Sequence, residues 1–170
     1  MKLTEFNQLT KAQAYAALET CCAAPNWINA MLAARPFNNL TELQAQASRI
    51  WQSLKADDYL AAFEAHPQIG NVASLKAKFA NTSAIAGHEQ SGMRQANEQI
   101  IETMAELNQS YLTKFGFIFI VFASGKTAAQ MLEILQSRMG HDRAIEIEIA
   151  AQEQAKITAL RLNKLLEEAA

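Results

Sequence analysis

The sequence predicts an all-α protein: a single-domain bundle of about eight helices covering residues 1–170, with one extended buried segment near 115–123. Three observations carry this expectation. Glycine and proline are scarce, 6 and 3 among 170 residues, so few positions interrupt a helix. Apolar residues recur at spacings of three and four rather than alternating. Capping residues precede several of these runs and glycine follows them. Half of the residues are apolar, and a chain of this length can enclose a core.

The elements follow in order. Thr10 with Gln13 reads as a capping box for a helix reaching about Cys22. Pro25 suits the first turn of "PNWINAMLAA", which stops at Arg35-Pro36. Thr41 with Gln44 reads as a second capping box, for "TELQAQASRIWQSL". Asp57 is expected to cap "DYLAAFEA". A short helix is expected from Ser74 to Ala80, and a long one from about His88 to Thr113 with Gly116 past its end. Thr127 can cap "AAQMLEILQSRM", closed by Gly140, and a last helix is expected from about Arg143 to Glu168. "FGFIFIVFA" breaks the pattern. It is aromatic and β-branched, and reads as an extended stretch or lone strand whose backbone groups need partners other than a sheet.

Several function classes lose support. The net charge is -2 and no basic block stands out, so neither nucleic acid nor an anionic membrane is an expected partner. No stretch approaches the roughly 18 apolar residues of a membrane span, and the first ten residues lack the core of a signal peptide. Cys21 and Cys22 are adjacent, about 100° apart on a helix, and are expected to be reduced in a cytoplasmic protein. His66, His88 and His141 show no metal-ligand spacing, so no metal is expected. "ASGKT" ends like a phosphate loop but has Ile120 where that motif needs glycine, and Ser91 and Ser124 lack a nucleophile-elbow context.

Three polar residues on apolar stripes remain. In "FEAHPQIG", proline forces the helix to stop, so His66 should sit at a helix end. Tyr59, Phe63 and His66 fall at i, i+4 and i+7 and share an inward face. Met93, Ala96, Ile100, Met104, Leu107 and Tyr111 form a stripe that, extended back four residues, meets Glu89. Ile157, Arg161 and Leu165 place a guanidinium on a third stripe. Each has a structural reading: a hydrogen-bonded core histidine, a carboxylate complementing a helix dipole, a snorkelling arginine. On that reading the chain is a non-catalytic helical module that binds a small ligand or a partner. The other reading brings the three together as an acid/base pair with an anion holder.

The pieces "WINAMLAARPF", "AHPQIG", "HEQSGM", "YLTKFGFIFIVFASGKT", "ILQSRMGHDRAIEIEIAAQEQAKI" and "RLNKLL" resemble, in order and over most of the chain, the 2-oxo-4-hydroxy-4-carboxy-5-ureidoimidazoline (OHCU) decarboxylases of urate degradation. The resemblance implies an all-helical, cofactor-free carboxy-lyase producing (S)-allantoin, often as a homodimer. It implies a proton donor at His66, an acidic partner at Glu89 and a substrate ligand at Gln90. Arg161 would grip the substrate, and Pro67 with the backbone of Ile118, Phe119, Ile120, Val121 and Phe122 would form the pocket wall. Ala86 falls at a substrate-contact position where the family often carries serine, so Ser83 or a backbone group is expected to replace that hydrogen bond. A peroxisomal tail seen in some relatives is absent, which fits a cytoplasmic location.

Overall fold

A computed structural model describes residues 1–67, 72–85 and 91–167. Among them the regular structure is entirely helical: α1 (Leu3–Gln8), α2 (Lys11–Glu19), α3 (Pro25–Ala33), α4 (Leu40–Gln52), α5 (Ala56–Glu64), α6 (Val72–Ile85), α7 (Ser91–Phe115), α8 (Ala128–Arg138) and α9 (Arg143–Leu165). The chain divides into two compact units, Met1–His66 with Ile147–Ala170, and Pro67–Glu146.

In the first unit, the Thr10–Gln13 box forms as expected: Thr10 Oγ1 accepts from Gln13 N (3.2 Å), and Gln13 Oε1 accepts from Thr10 N (3.1 Å). Pro25 opens α3. Two expected caps are displaced. Asn39, not Thr41, caps α4, its Oδ1 accepting from Glu42 N at 2.8 Å, while Glu42 Oε2 accepts from Asn38 N at 2.7 Å. In α5, Asp57 lies inside the first turn, and Asp58 accepts from Lys55 N at 3.1 Å. The six-residue α1 was not expected, because one buried residue, Phe6, makes no period. Asn39→Ala is expected to cost about 0.5–2 kcal/mol, read as a lower urea midpoint. Thr41→Ala should leave the midpoint unchanged or raise it, which separates the two positions.

Two tryptophans organise this unit's core. Trp27 is fully buried, and its indole N–H donates to Ala47 O at 3.1 Å. Trp51 donates to Ala151 O at 2.9 Å on α9, and its own carbonyl accepts from Tyr59 Oη at 3.1 Å. Each ring thus buries a large apolar face with its polar atom satisfied. Phe6, Leu18, Ile28, Met31, Leu43, Phe63 and Leu162 complete the core. Cys21 and Cys22 are free and buried.

In the second unit, α6 is longer than the stretch expected from Ser74 to Ala80. Met104 and Tyr111 of the α7 stripe are buried, while Ile100 and Leu107 are half-buried. α7 ends at Gly116, whose φ of +80° is a conformation glycine adopts without a Cβ penalty. Thr127 and Gln130 form a reciprocal cap for α8. The 117–122 stretch is non-helical and forms no strand; Phe117 and Ile120 are buried, and the other four residues are half-buried. Its rings pack on Tyr111, with centroids 5.7 Å away for Phe117 and 5.4 Å for Phe119.

A buried ionic network anchors that stretch. Arg138 donates from Nε to Glu146 Oε1 (2.7 Å), from Nη2 to Tyr111 Oη (3.2 Å) and from Nη1 to Ile120 O (2.5 Å). Tyr111 Oη donates to Glu146 Oε1 at 2.5 Å, and His141 Nδ1 lies 2.9 Å from Glu146 Oε2. Burial alone would raise the Glu146 carboxyl, but the hydrogen bonds from Arg138, Tyr111 and His141 hold it below the usual carboxylate range.

Candidate active site

His66 sits where proline sets it. α5 ends at Glu64, Pro67 cannot continue the helix, and His66 N donates to Phe63 O at 3.2 Å. Tyr59 and Phe63 of the same face are buried, so the imidazole starts from a fixed base and is itself half-buried. Its Nε2 is hydrogen-bonded to Gln154 Oε1 of α9. Gln154 is 1% exposed, and its Nε2 donates to Thr158 Oγ1 at 3.0 Å.

Arg161 lies three residues beyond Thr158, on the face of α9 that carries Gln154 and Thr158. It is half-buried, as are Ile157 and Leu165, so that stripe flanks the buried face instead of forming it. The Arg161 charge reaches His66, Cys21 and Cys22. Among the described residues, no carboxylate pairs with its guanidinium.

These surroundings set the protonation states. Burial and the Arg161 charge push the His66 imidazole below its ordinary 6.5, opposed by the Gln154 hydrogen bond. Burial pushes the Cys21 thiol up, and the Cys22 thiol up to about 11, so neither is a thiolate at neutral pH. The cluster therefore offers one imidazole that can exchange a proton and one permanent cation that can hold an anion.

Of the sequence-expected site residues, His66 and Arg161 both belong to the first unit, and the Arg161 charge acts on the imidazole. Pro67 and Ile118 to Phe122 belong to the second unit. Pro67 is exposed. Within 118–122, the Ile120 carbonyl accepts from Arg138, and the Phe122 carbonyl accepts from Lys126 Nζ at 2.6 Å. The N–H groups of Ile118 to Val121 donate to no group among the described residues. Ala86, Glu89 and Gln90 lie outside the described residues. A groove of about 360 Å³ between α4 and α9, lined by Gln44, Ala47 and Trp51 among others, includes neither His66 nor Arg161.

Sequence reasoning missed Gln154 and Thr158. Their signal was the four-residue stripe Ala150, Gln154, Thr158 and Leu162, in which two uncharged polar residues interrupt a buried face.

Known proteins share this fold and sequence. A crystal structure of OHCU decarboxylase in the presence of (S)-allantoin superposes with a TM-score of 0.69 at 37% identity, covering 88% of this chain and 96% of that one. A second solved structure, of (S)-allantoin synthase, is 18% identical with a TM-score of 0.69, covering 98% of this chain and 55% of that one, and shares the fold. The fold is therefore the all-α fold of these proteins. The OHCU decarboxylase family model matches residues 7–163, and the chain belongs to that family.

Among sequence relatives, the uric acid degradation bifunctional protein TTL of Arabidopsis thaliana is 35% identical over 154 residues, covering 89% of this chain. The 2-oxo-4-hydroxy-4-carboxy-5-ureidoimidazoline decarboxylase of Halalkalicoccus jeotgali is 28% identical over 131 residues, covering 77% of this chain and 72% of the relative. The chain spans 47% of the length of the Arabidopsis protein and 28% of that of a bifunctional relative from Bacillus subtilis.

Proposed function

We propose that the protein decarboxylates 2-oxo-4-hydroxy-4-carboxy-5-ureidoimidazoline to (S)-allantoin, with His66 as proton donor. The observation that carries this reading is the His66 imidazole, pinned by Gln154, lying within the field of an arginine that no described carboxylate neutralises. Family membership supplies the reaction class.

The substrate's carboxylate and hydroxyl share one carbon beside the ring C=N. When the C–C bond to the carboxylate breaks, carbon dioxide leaves and its electron pair passes into that C=N. An enol-like intermediate results, which collapses to the carbonyl once the ureido-bearing carbon receives a proton. The substrate supplies its own electron sink, so the protein must orient it, stabilise its charge and protonate one face. Arg161 would grip carboxylate or carbonyl oxygens through paired hydrogen bonds. Glu89 would orient or deprotonate the hydroxyl, and Gln90 would hold the ring. The anionic substrate and Glu89 would both favour the protonated imidazole, offsetting the burial that lowers its pKa in the free protein. The N–H groups of Ile118 to Val121, which donate to no group among the described residues, would bind carbonyl oxygens of the substrate, with Pro67 and Ala86 as wall contacts. The family resemblance supports a homodimer, and two free thiols support a cytoplasmic setting.

Incubation with freshly made substrate, followed by circular dichroism, tests the activity. The enzyme should yield optically active allantoin faster than the spontaneous reaction, which gives a racemate. Background kinetics alone would reduce the chain to a binding module. Arg161→Lys keeps the charge but loses the fork, and is expected to raise KM about ten- to a hundredfold, the loss of one charge-assisted hydrogen bond. An unchanged KM would remove Arg161 from substrate binding.

A further inference from the structure

We propose that Gln154 is a positioning residue that fixes the His66 tautomer: by accepting from Nε2–H, it leaves Nδ1 as the ring nitrogen that handles the substrate's proton. The inference rests on the reading of His66 as proton donor and adds which atom acts and what selects it.

The geometry forms a directional chain. The Thr158 hydroxyl lies one turn along α9 from Gln154. Its oxygen is the acceptor for the Gln154 side-chain N–H at 3.0 Å. That bond turns the amide so that Oε1, which can only accept, meets His66 Nε2. Nε2 must therefore carry hydrogen in both charge states of the ring. Gln154 is 1% exposed and Thr158 6%, so water competes little for these bonds. An uncharged amide selects the tautomer and holds the imidazolium more tightly than the neutral ring, without fixing the proton permanently as a carboxylate would.

The step balances. The protonated ring gives its Nδ1 proton to the ureido-bearing carbon as the new C–H bond forms, the enol hydroxyl becomes the carbonyl as its proton passes to the substrate's ring nitrogen that took up the electron pair, and the imidazole becomes the neutral Nε2–H tautomer, the one Gln154 selects. A solvent proton restores Nδ1–H for the next turnover. Among the described residues, Arg161 is the charged group whose field reaches the ring, and it opposes protonation.

Nitrogen-15 NMR of the full chain, with the pH profile of kcat, tests this. In the wild type, neutral His66 should be the Nε2–H tautomer. Gln154→Leu should abolish that preference and move the His66 pKa downward. Gln154→Glu, which leaves the packing and supplies a charge, should move it upward by about one to three pH units. The pH profile of kcat should follow each shift. An Nδ1–H tautomer in the wild type, or a His66 titration that neither variant moves, overturns the proposal. NMR shifts as expected with a pH profile that stays fixed would leave the tautomer assignment standing and overturn the role of His66 in the reaction, so the two failures are distinguishable.

Discussion

His66→Ala is expected to lower the rate of the chemical step by about 10²–10⁴-fold, the range a positioned general acid contributes. Single-turnover decay of freshly made substrate, followed by circular dichroism, reads it. The fold should survive the change. His66 follows the last residue of α5, its backbone N–H bond to Phe63 O does not need the ring, and the side chain is only half-buried. Tyr59 and Phe63, which anchor α5, are untouched. The cost to structure is confined to Gln154 Oε1, which loses its partner. A near-native urea midpoint with a collapsed rate is therefore the expected pair of results. Wild-type turnover in the variant would remove His66 from the chemistry.

Glu146→Ala is expected to destabilise the protein by about 3–5 kcal/mol, as a large fall in the urea midpoint. Glu146 is fully buried and Arg138 is 4% exposed, so the alanine leaves a guanidinium without its counter-charge away from water. The same change orphans the Tyr111 hydroxyl and the His141 imidazole. Joint replacement of Arg138 and Glu146 by apolar residues of similar volume should cost much less, because no buried charge is stranded. The pH dependence has a definite sign. Glu146 titrates below its ordinary 4.5, so its contribution is full above that value and is lost as pH falls through the depressed native pKa. The alanine variant should lack that part of the acid sensitivity. Equal midpoints for variant and wild type would mean that the network carries no net stability.

Much of this was legible in the chain because it depends on local spacing. The His66-Pro67 pair marks a helix end whatever surrounds it, and the run "FGFIFIVFA" announces backbone that is not helix. The Thr10 and Thr127 caps are legible because each precedes a single unambiguous run. The α4 cap is hidden because Thr41 with Gln44 imitates a capping box just inside a helix that Asn39 already starts. Gln154 and Thr158 escape because uncharged polar residues raise no alarm on a helix face; their meaning depends on His66, 88 residues away from Gln154. Arg138 and Glu146 are hidden for a related reason. They stand on either side of a helix break, where periodicity cannot show that they face each other.

The most direct measurement is a crystal structure of this chain with (S)-allantoin bound. The expected result is product held by the Arg161 guanidinium, with His66 Nδ1 about 2.6–3.2 Å from a polar atom of the product or one bridging water away, and Glu89 against the same molecule. Product seated elsewhere, with His66 and Arg161 both turned from it, would contradict the assignment of the site.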